Sequence, residues 1–126
     1  MIAQHSNAGP FIECDADGTV KTLKRAILNS STSGTAVVAA TAGRRIKVYA
    51  YALQSTGTVS AKLRDGAAGS DLTLDWSFQA REGVAPPAVK PPAYLFATTA
   101  GNDLQLVLSN SITTGVEVSY WDDDAT

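Results

Sequence analysis

The chain has 126 residues, of which 44% are hydrophobic and 17% are charged, and its formal net charge is −2. This length fits one domain that can bury a core without disulfides or a structural metal. The near-neutral charge excludes a general electrostatic attraction to nucleic acid or to an anionic membrane.

Residues 1–10 are small and polar and end in Gly-Pro, which predicts a flexible arm outside the core. The arm lacks the basic segment and apolar stretch of a signal peptide, and no apolar run reaches the roughly 20 residues that span a bilayer. We therefore expect a soluble protein that is made in the cytoplasm and contacts no membrane. The single Cys14 fits a reducing compartment, and we interpret it as a small buried hydrophobe at the end of a short strand over residues 11–14.

Two acidic residues, Asp15 and Asp17, precede Gly18 in the spacing that begins a calcium loop. The other ligands of that pattern are missing, so a polar turn is the favoured interpretation. Residues 19–28 begin with β-branched side chains and predict a strand, although Leu23 and Ile27 would also suit a helical face. Residues 35–40 predict a short apolar strand.

Alternation of apolar and polar residues dominates the chain from residue 44 onward. It predicts strands over residues 45–53, 59–64, 72–79, 104–109 and 116–121. One inward face would carry Leu72, Leu74, Trp76 and Phe78, and another would carry Leu104, Leu106 and Leu108. Strands of this length separated by turn residues are typical of an antiparallel sandwich.

The segments between these strands complete the predicted fold. Residues 65–70 suit a tight turn, and four prolines within residues 85–93 predict an extended surface loop. Tyr94, Leu95 and Phe96 are expected to return to the core, and residues 122–126, which begin with three aspartates, are expected to form a solvated acidic tail. The prediction is an all-β, two-sheet antiparallel sandwich of the jelly-roll kind over residues 11–121, flanked by the arm and the tail.

The chain offers few residues for catalysis. His5 is its only histidine and lies in the expected arm, which argues against a nucleophile–histidine site. A carboxylate pair would have to come from Asp65, Asp71, Asp75, Asp103 and Glu117, and no spacing among them selects two. We predict a non-enzymatic protein with no catalytic, cofactor or metal site.

A contact surface is the alternative to a site for chemistry. Arg45, Lys47, Tyr49 and Tyr51 share one parity of a predicted strand. That face is either a solvated exterior or an interface, because arginine and tyrosine are enriched in interface cores. Trp121 falls on the polar parity of the last strand, so we expect it to point outward and to extend this interface.

Three segments carry a resemblance to a known group of proteins: GRRIKVYAY at residues 43–51, FATTAGNDLQLVLS at 96–109 and TGVEVSY at 114–120. In turns and alternation, the chain resembles small virion structural proteins of tailed bacteriophages, most of all capsid decoration (cement) proteins. The resemblance implies a homo-oligomer, expected to be a trimer, on the outer capsid surface. It also implies the major capsid protein as a partner and a terminal arm that reaches a neighbour, whereas the charge balance alone predicts that nucleic acid is not a partner.

Two other functions remain open on the sequence. One is a tail-associated host-attachment or carbohydrate-binding module that uses exposed Trp121, Tyr94 and loop residues. The other is a small glycosidase or esterase on a sandwich scaffold, for which the usual catalytic groups are absent or unplaced.

Overall fold

The structure is a computed structural model that describes residues 11–12 and 21–124. Within this part of the chain there are eleven strands and no helix. The strands are β1 Phe11–Ile12, β2 Lys21–Thr22, β3 Lys24–Ser30, β4 Thr35–Val38, β5 Arg44–Ser55, β6 Val59–Asp65, β7 Trp76–Phe78, β8 Gly83–Val84, β9 Phe96–Ala97, β10 Leu104–Leu108 and β11 Thr114–Asp124. The extended structure predicted for residues 19–28 is confirmed over residues 21–22 and 24–28, but the single strand is wrong, because the chain breaks at Leu23 into β2 and β3, which belong to different sheets.

The strands form two packed antiparallel sheets, which confirms the predicted single-domain sandwich. A four-stranded sheet has the order β4-β10-β6-β7. A five-stranded sheet has the order β3-β11-β5-β8, with β9 also paired to β5. The short β1–β2 hairpin is separate from both sheets.

The order of the strands is that of a jelly roll. β8 and β9 both pair with β5 and act as one interrupted edge strand. When β8 and β9 are counted as one strand, β3, the first strand after the β1–β2 hairpin, pairs with β11, the last strand. β4, the second, pairs with β10, the last but one. β5 then pairs with β8 and β9, and β6 with β7. The chain is thus one long hairpin folded over between two sheets, as predicted.

The core lies between the inner faces of the two sheets. Leu63, Leu104, Leu106 and Val118 are 0% exposed, and Ile46 is 1% exposed. They occupy alternate positions on β5, β6, β10 and β11, as the sequence predicts. Each buried leucine contributes about 2 kcal/mol through removal of its apolar surface from water.

The strand predicted for residues 72–79 is wrong in its first half and its inward face is wrong at Leu74, although Leu72, Trp76 and Phe78 pack in the core as predicted. Only Trp76–Phe78 form a strand, and Leu74 is 70% exposed. The amide of Leu63 donates to the Thr73 hydroxyl at 3.1 Å, so a side chain takes the place of a ladder carbonyl. The chain leaves the sheet at that point and rejoins it at Trp76.

The proline-rich loop is confirmed, since no strand lies between Val84 and Phe96. The expectation that Tyr94 and Leu95 enter the core is wrong, because they are 41% and 36% exposed. The Leu95 amide donates to the Val48 carbonyl at 2.7 Å and fixes the main chain at the edge of β5. Only Phe96 of the three packs against the core.

The solvated acidic tail is also wrong for the residues that the structure describes there. β11 continues to Asp124, and its last residues lie opposite Ile46, Arg45 and Arg44 of β5. Asp122 is half-buried and Asp123 is 1% exposed. Basic side chains from β2, β3 and β5 neutralise these carboxylates, so the strand can continue through an acidic run.

Candidate functional site

The predicted contact residues lie on or near the outer face of the five-stranded sheet, where β5 contains a bulge. Ser119 of β11 lies opposite Ala50, but the next residue, Tyr120, lies opposite Val48. Tyr49 is therefore the extra residue of a β-bulge. A bulge reverses the side-chain parity of the residues on either side of it.

The bulge separates the four residues that the sequence places on one face. Tyr51 is on the inner face, where its hydroxyl accepts a hydrogen bond from the Trp76 indole at 3.3 Å. Its ring meets Phe96 edge-on with the ring centroids 5.6 Å apart. The prediction of one shared outer face is therefore wrong for Tyr51.

One half of the outer face, which we call the covered half, is formed by Lys47, Tyr49, Tyr94, Trp121 and Asp123. Trp121 points outward, as its parity predicts, but the expectation that it is exposed is wrong, because it is 0% exposed. Its ring lies 6.0 Å from that of Tyr49 and 6.2 Å from that of Tyr94. The proline-rich loop thus brings an aromatic side chain over the last strand. A carbohydrate-binding module would need an exposed aromatic surface here. Trp121 is buried and so cannot form part of one.

A buried ion cluster lies beside Trp121. Lys47 is 4% exposed, and its ammonium donates a hydrogen bond to Asp123 Oδ2. The Lys21 ammonium lies 3.4 Å from Asp123 Oδ1, and Lys47 Nζ lies 4.9 Å from the centroid of the Tyr94 ring. Burial acts to raise the pKa of Asp123, but the contacts with Lys47 and Lys21 outweigh it and hold the pKa below its ordinary value.

These contacts predict a pH dependence of stability. A carboxyl whose pKa is lower in the folded than in the unfolded state stabilises the fold fully above its unfolded pKa of about 4. That contribution is lost as the pH falls through the lower, folded pKa. We expect the urea midpoint of the wild-type protein to fall as the pH is lowered below about 4. In Asp123→Asn that fall should be smaller, and an unchanged pH profile would contradict the assignment.

The other half of the outer face, the open half, carries mostly short side chains. Ala50 and Ala52 lie on its floor, the Asn29 side-chain oxygen lies over Gly115, and Ile27 stands at the margin with 63% of its surface exposed. A shallow groove of about 460 Å³ runs across it between β3 and β8. Arg25 of β3 is a diagonal neighbour of Glu117 on β11, which itself lies opposite Ile27. The two side chains form an ion pair and so add no net charge to this area.

The outer face of the four-stranded sheet is different in character. Arg64 donates to Gln105 Oε1 at 3.0 Å, and Gln105 donates to Asp103 at 3.3 Å. Lys62 and Asp71 form an ion pair at 3.0 Å. Polar groups on this face are therefore satisfied within the chain. The two exteriors differ: one is polar and internally paired, and the other combines alanine and glycine positions with polar residues such as Asn29, Gln54 and Glu117.

Several of the acidic residues that were considered for a catalytic pair have structural partners instead. Asp65 accepts hydrogen bonds from the Thr99 amide at 2.9 Å, the Thr99 hydroxyl at 2.6 Å and the Asn102 amide nitrogen at 3.1 Å. Burial acts to raise the pKa of Asp65, but these hydrogen bonds outweigh it and lower the pKa. This carboxylate holds the β9–β10 connection in place.

No family model, curated protein or solved structure matches the chain. Among residues 11–12 and 21–124, no group of three potential metal-ligating side chains is brought together. The same residues include no helix that could cross a membrane. His5, Cys14, Asp15, Asp17 and the arm over residues 1–10 lie outside the described residues.

Sequence reasoning missed the open half of the face as a unit. Its residues come from four strands, and none of them is distinctive alone. A usable indication was present in β5, where residues 46–53 are apolar on both parities apart from Lys47. Such a strand is typical of a sheet that is covered on both faces.

Proposed function

We propose that this protein is a non-enzymatic virion protein of a tailed bacteriophage that decorates the outer surface of the capsid. It would bind the major capsid protein from outside and stabilise the head. The proposal combines the resemblance in three segments with one observation. The five-stranded sheet has an outer half that is shallow and uncovered and that mixes short apolar residues with polar ones, whereas polar groups on the opposite exterior are paired within the chain.

The open half is suited to adhesion. Ala50 and Ala52 present little more than main chain, so a partner surface can approach the sheet closely beside them. Covering apolar surface contributes about 25 cal/mol per Å².

Attachment to an assembled shell would stabilise that shell by mass action. A protein that binds the intact arrangement but not the separated subunits shifts the equilibrium towards the intact form. Several linked copies add avidity without a new type of contact. The homotrimer that the resemblance implies stays a prediction, and it is an alternative to the two-fold dimer inferred below.

The contact role predicted for Arg45, Lys47, Tyr49, Tyr51 and Trp121 also stays a prediction, but the fold divides these residues. Arg45 and Tyr49 are half-buried and retain surface for a partner at the margin of the face. Lys47 and Trp121 are buried and would act by supporting the face from beneath. We therefore place the main contact on the open half.

Addition of the protein to particles that lack it tests the proposal. We expect Ala52→Arg to weaken attachment at least about tenfold, because a charged side chain would stand on the floor of the groove. The matched control is Ala36→Arg, an exposed position on β4 of the other sheet. Cosedimentation measures attachment, and electron microscopy locates the bound protein. Equal attachment of the two variants would refute this use of the face, and density on the tail would refute decoration of the head.

A further inference from the structure

We infer that the outer edge of β3 pairs with β3 of a second copy about a two-fold axis through Ile27. β3 has seven residues and forms one edge of the five-stranded sheet, where β11 is its only paired strand within residues 11–12 and 21–124. None of the described main-chain hydrogen bonds outside the sheets involves residues 24–30. An edge strand of this length is a template for another strand.

The direction in which the peptide groups of β3 point can be worked out from hydrogen bonds of β5 at the other side of the same sheet. Ser55 donates to the Glu82 carbonyl at 2.9 Å and accepts from the Arg81 amide at 2.9 Å, so its peptide groups point away from β11. Peptide direction alternates along a strand, so Gln54 points towards β11, where it faces Gly115. Gly115 is then turned towards β5 and away from β3.

The same alternation fixes the groups on the free edge. Asn29 lies opposite Gly115, so the peptide groups of Asn29 point outward, away from β11. Two residues along the strand, Ile27 has the same direction, as does Arg25. These three residues alternate with Ala26 and Leu28, whose peptide groups are used within the sheet.

This pattern is symmetric about Ile27, the central residue of β3. In an antiparallel pair centred there, Ile27 lies opposite Ile27 of the second copy, and Arg25 lies opposite Asn29. Each of these pairs has its donors and acceptors facing the other strand, as a hydrogen-bonded pair requires. On the inner face, Ala26 would lie opposite Leu28 and Lys24 opposite Ser30, so no like charges meet.

Charged side chains often protect an edge from such pairing, and β3 begins with two of them. Here both are drawn back over the sheet. Lys24 donates to Asp122 at 2.7 Å, and Arg25 Nε donates to Glu117 at 2.7 Å, with both acceptors on β11. The side chain that remains at the centre of the edge is Ile27, which is 63% exposed. A second copy would cover it with an identical side chain.

A proline at the central position tests the contact. Proline removes an amide donor, but the Ile27 amide is not used in the β3–β11 ladder, and edge strands tolerate proline on their free side. We expect the full-length protein to sediment as a reversible dimer and Ile27→Pro to raise its dissociation constant at least about tenfold. The matched control is Ile27→Val, which keeps the donor and the β-branched shape and should remain dimeric.

Amide hydrogen exchange of the wild-type protein provides a second readout that needs no variant. The amides of Arg25, Ile27 and Asn29 should become more protected as protein concentration rises, whereas those of Ala26 and Leu28 should be protected throughout. A wild-type monomer at the highest concentration, a trimer insensitive to Ile27→Pro, or exchange at these three amides that does not depend on concentration would each overturn the inference. Neither measurement uses capsids, so the result is separate from the attachment experiment.

Discussion

Replacement of Asp123 by alanine is expected to lower the free energy of unfolding by about 3–5 kcal/mol. The substitution removes the carboxylate that both Lys47 and Lys21 contact. The two lysine side chains are 5% and 10% exposed, so each ammonium would lose a charged partner in a place that water reaches poorly. Breaking a buried pair from one side costs far more than the pair contributes when intact.

The neighbouring carboxylate provides the matched control. Asp122 pairs with Lys24 at 2.7 Å, but the Lys24 side chain is 48% exposed. Exposed pairs contribute between about 0 and 1 kcal/mol, so Asp122→Ala should lie in that range. Urea denaturation of both variants at neutral pH measures the difference. Equal losses would show that Asp123 behaves as a surface carboxylate and would contradict the buried cluster.

The two acidic residues also show where sequence reasoning reaches its limit. A terminal run of three aspartates predicts a solvated tail, because like charges repel. The structure overturns this through contacts that are distant in the chain: Lys24 is 98 residues from Asp122, and Lys47 is 76 residues from Asp123. A local pattern contains no information about partners at that separation. The jelly-roll pairing of first strand with last brings them together.

The alternation of apolar and polar residues along the strands predicted the fold well. Leu104, Leu106 and Leu108 are all buried, as their alternation predicts, and the two-sheet architecture follows from such strands. Parity failed at Tyr51 because one extra residue, Tyr49, enters β5 as a bulge. The run from Arg45 to Leu53 contains no glycine or proline to mark that position. A bulge at such a point depends on the partner strand, which the sequence does not identify.

Alternation along a strand predicts which face of the sheet a side chain points to, but not whether that side chain is exposed. Trp121 illustrates the difference. It lies on the outer parity of β11, opposite Lys47 of β5. The sequence therefore places it correctly on the exterior of the sheet. Whether an exterior position is covered depends on where the proline-rich loop runs, and that loop brings Tyr94 to within 6.2 Å of its ring. Sheet exteriors in this fold are thus of two kinds, covered and open.

Trp121→Ala is expected to lower the free energy of unfolding by about 3–5 kcal/mol, the usual cost of deleting a large buried aromatic side chain. Trp121 is 0% exposed, and the cavity left by its removal would open between Tyr49 and Tyr94. Leu74→Ala is the control, since Leu74 is 70% exposed and its truncation should change stability by no more than about 0.5 kcal/mol.

Urea denaturation measures the stability of both variants, and attachment to particles is compared at a temperature where both are folded. If Trp121 is structural, Trp121→Ala should lose stability but should still attach to particles at a temperature where it is folded. If Trp121 instead contacts the partner, as its place on the outer face first suggested, Trp121→Ala should keep a stability close to that of the wild type and should lose attachment. That second result would mean that the covered half opens in solution, and it would move the contact surface from the open half back to Trp121 and Tyr94.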